Sequence, residues 1–175
     1  NDIDTVVSTV VQIDSTAVQI TGSYAEVNTA LAASTADTPT IADLSGLTVA
    51  LTGTTTRTNY LTIQDDYTTG VVTATLEDST IAEILDATDG VVNIKAGNAL
   101  SFDITDNSIT ASQLVDVLDL TSGTVTLDPA NGGINPVISG SLADLKTIVD
   151  AGTAGLGSAF ITVTDTTNAV SYTHL

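Results

Sequence analysis

The residues in this chain that could do chemistry are its acidic side chains. The sequence holds 21 Asp and Glu against three Lys and Arg, which gives a formal net charge of −18. Converging carboxylates bind Ca²⁺, which takes about six to eight oxygen ligands. The acidic groups nearest to a calcium-binding pattern are Asp65 with Asp66 and Asp103 with Asp106, to which Asp116 could be added. We therefore treat Asp65, Asp66, Asp103 and Asp106 as the candidate Ca²⁺ ligands.

A second interpretation of the same acids needs no metal. Asp is common at helix N-caps and in turns, where its carboxylate accepts backbone N–H groups. None of these groups has the alternating acids and the terminal Glu of an EF-hand loop. We favour cap and turn residues, and Ca²⁺ stays the one cofactor that the sequence leaves open.

The residues that catalysis requires are scarce. There is no Cys, no Trp and a single His, His174, so a nucleophilic triad has no credible base. Cleavage of a sugar would need two facing carboxylates and aromatic platforms, which four Tyr and two Phe hardly supply. Segment 152–157 is rich in Gly but lacks the Lys of a phosphate-binding loop. We therefore expect no catalytic activity, and a polysaccharide-cleaving enzyme is the weakest alternative.

The composition excludes several kinds of partner. A surface with such an excess of acid repels phosphate backbones, so we expect no nucleic acid to bind. No run of about 18 apolar residues is present, which predicts no membrane insertion. Apolar residues make up 42% of the chain and are mostly Ala, Val, Ile and Leu, which suit thin, regular layers.

Five short segments have the signature of a helix start, a Ser or Thr followed three residues later by an acid or amide. In this capping box the hydroxyl accepts an N–H of the first turn, and the acid or amide reaches back to the N-cap. The last three segments are followed by apolar residues at helical spacing. The five begin at Ser23, Thr40, Thr80, Thr110 and Ser141.

A second recurring element is Thr-x-Gly followed by β-branched residues. The glycine would form a turn or end a helix, and the β-branched residues would start a strand. The element occurs at Gly70, Gly90 and Gly123, and in a looser form at Gly155.

Together these elements define a unit: a strand, a capped short helix, a Thr-x-Gly turn and the next strand. The helix starts at Thr80, Thr110 and Ser141 give a period of about 30 residues. We therefore predict a single array over residues 1–169, irregular over 1–75 and with about 30-residue repeats over 76–167. The predicted strands span residues 5–13, 16–21, 47–51, 60–64, 70–76, 91–95, 100–104, 123–127 and 160–164.

The predicted fold class is an α/β repeat array, in which short strands and short capped helices form a right-handed solenoid with a mostly parallel sheet. The alternative is an all-β sandwich of the adhesin type, in which the helix-like segments would be loops. The helical spacing of Ile81, Ile84 and Leu85 favours the α/β array.

Three phrases resemble the Thr/Ala/Asp-rich repeats of giant secreted and cell-surface proteins of marine bacteria and cyanobacteria. They lie at residues 20–29, 104–114 and 138–145 and read ITGSYAEVNT, ITDNSITASQL and ISGSLADL. The resemblance is one of style and period over roughly two thirds of the chain. It implies an extracellular or cell-surface location and transfers no functional residues.

Residues 170–175 differ from the rest of the chain. They read VSYTHL and resemble the translation of a common sequencing adapter. We expect a non-native tail in a metagenomic fragment, which would remove His174 from the natural protein. The absence of an initiator Met leads to the same expectation of a fragment.

These observations predict a non-catalytic structural or adhesive module of a large exported bacterial surface or matrix protein. Its partners would be the neighbouring repeats of the parent chain, and for an adhesin a surface glycan or other cells. The alternative is a calcium- or glycan-binding module of the same kind of protein.

Overall fold

The computed structural model describes residues 11–12, 19–35, 41–42, 44, 46–67, 70–85, 94–95, 97–128 and 135–165, where short strands alternate with short helices. The strands are β1 (Val11–Gln12), β2 (Gln19–Gly22), β3 (Ile41–Ala42), β4 (Thr48–Thr55), β5 (Val72–Leu76), β6 (Ala99–Ile104), β7 (Ser108–Thr110), β8 (Val125–Leu127), β9 (Val137–Gly140) and β10 (Phe160–Val163). The helices are α1 (Tyr24–Thr35), α2 (Arg57–Thr62), α3 (Ile81–Leu85), α4 (Ala111–Leu120) and α5 (Leu142–Asp150). A π-helical segment, Ile63–Tyr67, continues α2, and a 3₁₀ turn, Leu156–Ser158, precedes β10.

All described strand pairs are parallel. The larger sheet has the strand order β2-β4-β5-β6-β8, which is also the order along the chain. A smaller sheet has the order β7-β9-β10, and β1 pairs with β3. Parallel neighbours need a crossover connection, and each of these connections contains one of the five helices. The predicted α/β class is therefore confirmed, and the described strands do not form the alternative all-β sandwich.

The core lies on one face of the larger sheet. In β5, Val72, Ala74 and Leu76 are buried, while the Thr residues between them are exposed. β6 alternates in the same way around Phe102, which is 1% exposed. Burial on a single face is the reason for the strict alternation of these two strands.

Helices α4 and α5 close the core, each with one apolar stripe. Leu114 and Val117 of α4 are fully buried, and Leu145 and Ile148 of α5 are buried as well. The three-residue spacing within each pair puts both side chains on the same side of the helix, which confirms the helical pattern in the sequence.

The predicted capping boxes at Ser23 and Thr80 form. The N–H groups of Ser23 and Thr80 donate to Oε2 of Glu26 at 2.9 Å and of Glu83 at 2.8 Å, respectively. In return, the Thr80 hydroxyl oxygen accepts the N–H of Glu83 at 3.2 Å. The bonds from the N-cap backbone hold the pKa of both glutamates below its usual value.

Helix starts at Thr110 and Ser141 are also confirmed. Ser141 Oγ accepts the N–H of Asp144 at 3.1 Å. Thr110 is the N-cap of α4, but its side chain bonds to the Gln113 side chain and makes no cap bond to the backbone.

Two predictions for the first half of the chain are wrong. Residues 60–64, predicted as a strand, belong to α2 and to the π-helical segment that follows it. This helix starts at Thr56, whose hydroxyl oxygen accepts the N–H of Asn59 at 3.1 Å. The helix start predicted at Thr40 is wrong because Ile41–Ala42 form strand β3.

The sequence patterns also miss β7 and β9. Both strands are short and run directly into the N-cap of a helix, so their residues look like part of the capping phrase. Of the predicted strand 91–95, the described residues Ile94 and Lys95 are not in a strand. Gly90, most of 5–13 and the predicted tail 170–175 lie outside the described residues.

The described Thr-x-Gly glycines lie directly against the backbone of an earlier segment of the chain. A Cβ atom at each of them would come far closer to a backbone carbonyl oxygen than real Cβ contacts allow. Glycine is therefore needed for the close approach of two backbones, and at Gly155 also for a φ of 83°. The distances would be 2.3 Å from Gly70 to Leu47, 2.1 Å from Gly123 to Leu100 and 2.3 Å from Gly155 to Leu127.

Replacing Gly123 by Ala should lower the free energy of unfolding by about 1–3 kcal/mol, because the new methyl group forces β8 away from the Leu100 carbonyl. Urea denaturation followed by circular dichroism measures the loss. Gly46→Ala is the control, because a Cβ at Gly46 meets nothing within 4 Å, and we expect a change within about 0.5 kcal/mol. Equal losses in the two variants would contradict the close-approach explanation.

The capping box of α3 should make stability depend on pH. Because the folded-state pKa of Glu83 is lowered, the unfolded chain takes up its proton first as the pH falls. The free energy of unfolding therefore decreases as the pH falls from about 5 through the usual Glu pKa and then through the lowered one. Glu83→Gln keeps a capping side chain and should make this decrease shallower in urea titrations between about pH 5 and 3. Glu77→Gln, an exposed residue before α3, is the control, and an equal change in both variants would argue against the box.

Candidate functional site

The structure places the four candidate Ca²⁺ ligands in three different parts of the fold. Asp65 and Asp66 lie in the π-helical segment, Asp103 on the outer face of β6 and Asp106 in the loop after β6. Across the described ranges, no three His, Cys, Asp or Glu side chains gather closely enough to hold a metal ion. Calcium binding by these residues stays a prediction.

Asp106 caps a helix that belongs to the preceding unit. Its Oδ2 accepts the N–H of Ile81, the first residue of α3, at 2.6 Å, although the two residues are 25 positions apart. The N–H groups of the first helical turn have no partner within the helix, and a negative charge there also interacts favourably with the helix dipole. The geometry therefore supports the interpretation of Asp106 as a cap residue.

Asp165 does the same for α5. Its Oδ2 accepts the N–H of Leu142, the first residue of that helix, at 2.7 Å from 23 positions away. Two helices thus receive a carboxylate from the chain that follows them.

Strand register explains why these Asp residues reach the helix ends. In both cases, the residue two positions before the first helical residue pairs with the residue two positions before the capping Asp. The same register places Asp78 opposite the start of α2, and Gly53 and Gly140 opposite the starts of α1 and α4. At α4 no side chain fits, because a Cβ on Gly140 would lie 2.4 Å from the Cβ of Ala111.

A buried polar cluster, formed by Tyr60, Gln64 and Asn98, joins α2 to the segment before β6. Asn98 Nδ2 donates to Tyr60 Oη at 2.7 Å and to Gln64 Oε1 at 3.0 Å, and the Tyr60 hydroxyl donates to Gln64 Oε1. Asn98 Oδ1 accepts the N–H of Val72 at 2.7 Å. The three side chains are at most 6% exposed, so these bonds replace the water that burial removes.

Burial raises the pKa of Tyr60 far above its usual value. The phenol therefore stays protonated and serves as a hydrogen-bonding group. At the surface beside it, Lys95 Nζ lies 2.9 Å from Asp65 Oδ1 and donates to the Gln64 carbonyl oxygen at 3.2 Å. One candidate ligand, Asp65, is thus already paired with a cation.

No local sequence pattern predicts the buried polar cluster. Asn98 lies 38 positions from Tyr60 and 34 positions from Gln64, so nothing in the neighbouring sequence connects it to them. The polar Gln64 within the apolar stretch 60–64 is the one signal that could have been noticed.

Comparison with known proteins adds no relative, since no family model, curated protein or solved structure matches this chain. Among the helices that the structure describes, none is both long enough and apolar enough to cross a membrane. The function therefore has to be argued from the contacts themselves.

These contacts share one property, which is that each joins one strand–helix unit to the next. We call them the inter-unit contacts: the carboxylate caps of Asp106 and Asp165, the Asn98 bonds and the close glycine approaches. Together they can hold successive units at a fixed spacing and orientation.

Replacing Asp106 by Ala should lower the free energy of unfolding by about 1 kcal/mol, because the Ile81 N–H loses its acceptor. If Asp106 acts only as a cap, this loss in free energy of unfolding is the same in EDTA and in millimolar CaCl₂. Urea denaturation in both buffers measures it. Asp119→Ala, which removes an exposed acid outside the candidate ligands, is the control and should change stability by less than about 0.5 kcal/mol. A loss confined to the CaCl₂ buffer would instead make Asp106 a calcium ligand.

Proposed function

We propose that this chain is a non-catalytic structural or adhesive segment of a large exported bacterial surface or matrix protein, whose strand–helix units stack end to end as a solenoid. The observation that supports this most strongly is the strand order, because the strands of the larger sheet follow one another across the sheet in the same order as along the chain. In a stacked array each unit contacts the units before and after it.

The mechanism is mechanical. Each added unit lengthens the array by one strand spacing, roughly 4.8 Å, and the inter-unit contacts set its register. Asp106 and Asp165 bond to helices of the preceding unit, so a shift of one residue along a strand would break the caps. Such an array gives length and stiffness to a protein that projects from a surface.

The acidic surface fits this function. With a net charge of −18, neighbouring molecules repel each other, which keeps an exported protein soluble, or are bridged by divalent cations. The proposed partners are the neighbouring repeats of the parent chain and, at the outer end of an adhesin, a surface glycan or another cell. The proposed location is extracellular or at the cell surface.

A stacked array should be most stable in its middle and least stable at its ends. We therefore expect amide protons of β5 and β6 to exchange at least about tenfold more slowly than those of β2 and β10. Hydrogen exchange of the full chain, followed by NMR, measures this gradient. Uniform protection of all four strands would mean that the chain unfolds as one globular domain, and the array would be rejected.

The same measurement in EDTA and in millimolar CaCl₂ tests the alternative function. A structural array should show the same exchange rates in both buffers. A calcium-binding module should be protected by Ca²⁺ throughout, since a ligand that binds only the folded state stabilises it. Protection by Ca²⁺ would therefore replace the proposal with a calcium-binding module.

A further inference from the structure

Exposed large apolar side chains concentrate in the last described helix and strand. Within the described residues, five of the seven such side chains belong to α5 and β10, and the other two are Val71 and Val137. We call these five the end face: Leu142 (59% exposed), Val149 (64%), Phe160 (63%), Ile161 (51%) and Val163 (52%).

Ile161 continues an aliphatic ladder in the smaller sheet. Ile109 of β7 pairs with Ile138 of β9, and Ile138 pairs with Ile161 of β10. Their exposed fractions are 1%, 0% and 51%. The first two are covered by the units around them, so the exposure of Ile161 marks the place of a further strand.

β10 lacks the features that protect an exposed strand edge. Natural edge strands are usually shielded by charge, Pro or a bulge. β10 reads Phe-Ile-Thr-Val, is an edge of its sheet and pairs with β9 in regular register. Among the described residues no strand pairs with its other edge, which is therefore suited to pairing with a further strand.

Helix α5 is uncovered on the same end. Leu145 and Ile148 face the core, and α4 packs against α5. Leu142 and Val149 stay exposed, so they lie on the part of the helix that α4 does not cover. An amphipathic helix beside α5 would bury both of them.

We propose that the end face binds one further strand–helix unit of the same kind. Its strand pairs in parallel with β10 and places an aliphatic side chain in register with Ile161, and its helix covers Leu142 and Val149. The parallel pairing of β7, β9 and β10 supports this, because a further strand beside β10 continues the same sheet. The inference rests on the proposed stacked array and adds the site and the chemistry of the next partner.

The test lengthens the full chain by one unit, with a second copy of residues 141–165 inserted directly after Asp165. The inserted helix and strand should fold onto the end face. We expect the melting temperature to rise by about 4 °C or more. We also expect the inserted helix to resist limited proteolysis by a broad-specificity protease.

A paired substitution separates docking from general stability. Ile161→Lys with Val163→Lys should change the melting temperature of the original chain by no more than about 2 °C, because both side chains are exposed there. In the lengthened chain the same pair should abolish the rise and make the insert protease-sensitive. Val71→Lys, an exposed apolar position away from the end face, should leave the rise intact.

Three results would overturn the proposal: no rise with an unprotected insert, an equal effect of the lysine pair in both chains, or dimerisation of the original chain through the same residues. Dimerisation, seen by sedimentation velocity, would make a second copy the occupant. The hydrogen-exchange gradient of the original chain tests the stacked array independently of docking at the end face. If the gradient is present and docking fails, the array stands and only the end face is reinterpreted.

Discussion

The distance between paired parallel strands, roughly 4.8 Å, is the constraint on which the other features of this structure depend. Each unit has to lie on the preceding one at that distance. Where two backbones come closest, as at Gly123 above the Leu100 carbonyl, a side chain has no room. The same distance brings Asp106 within 2.6 Å of the Ile81 N–H, so spacing and register create the caps as well as the sheet.

Short helices are possible here because their ends are completed by neighbours. A helix as short as α3, with five residues, does not form alone in water, since nucleation costs more than a few hydrogen bonds return. Two N–H groups of its first turn have acceptors: the Thr80 hydroxyl oxygen accepts the N–H of Glu83, and Asp106 accepts that of the first helical residue. Burial of Ile81 and Ile84, in a helix that packs against α4, supplies the rest. Helix stability is therefore a property of two adjacent units.

The sequence allows the class of fold to be predicted, because caps and apolar spacing are local signals. Four of five predicted helix starts are confirmed, and the fifth, Thr40, shows that a capping pattern also occurs by chance in a chain rich in Thr. Residues 60–64, which end α2 and begin the π-helical segment, resemble a strand because Tyr60 and Ile63 are β-formers. Long-range features were out of reach: the Asp106 cap and the Asn98 bonds depend on register between distant segments. The sequence indicates that Asp106 is a cap residue or a Ca²⁺ ligand, but it does not indicate which helix Asp106 caps.

The carboxylate caps also relate the folding of a helix to the order in which the chain is synthesised. The carboxylates of Asp106 and Asp165 reach back to helices synthesised earlier, by 25 residues for Asp106 and by 23 for Asp165. During translation, which delivers about 5–20 residues per second, α3 is therefore incomplete until the chain past β6 has left the ribosome. For α3 and α5, completion of the helix therefore follows its synthesis by more than 20 residues, because the capping carboxylate belongs to the chain that is made later.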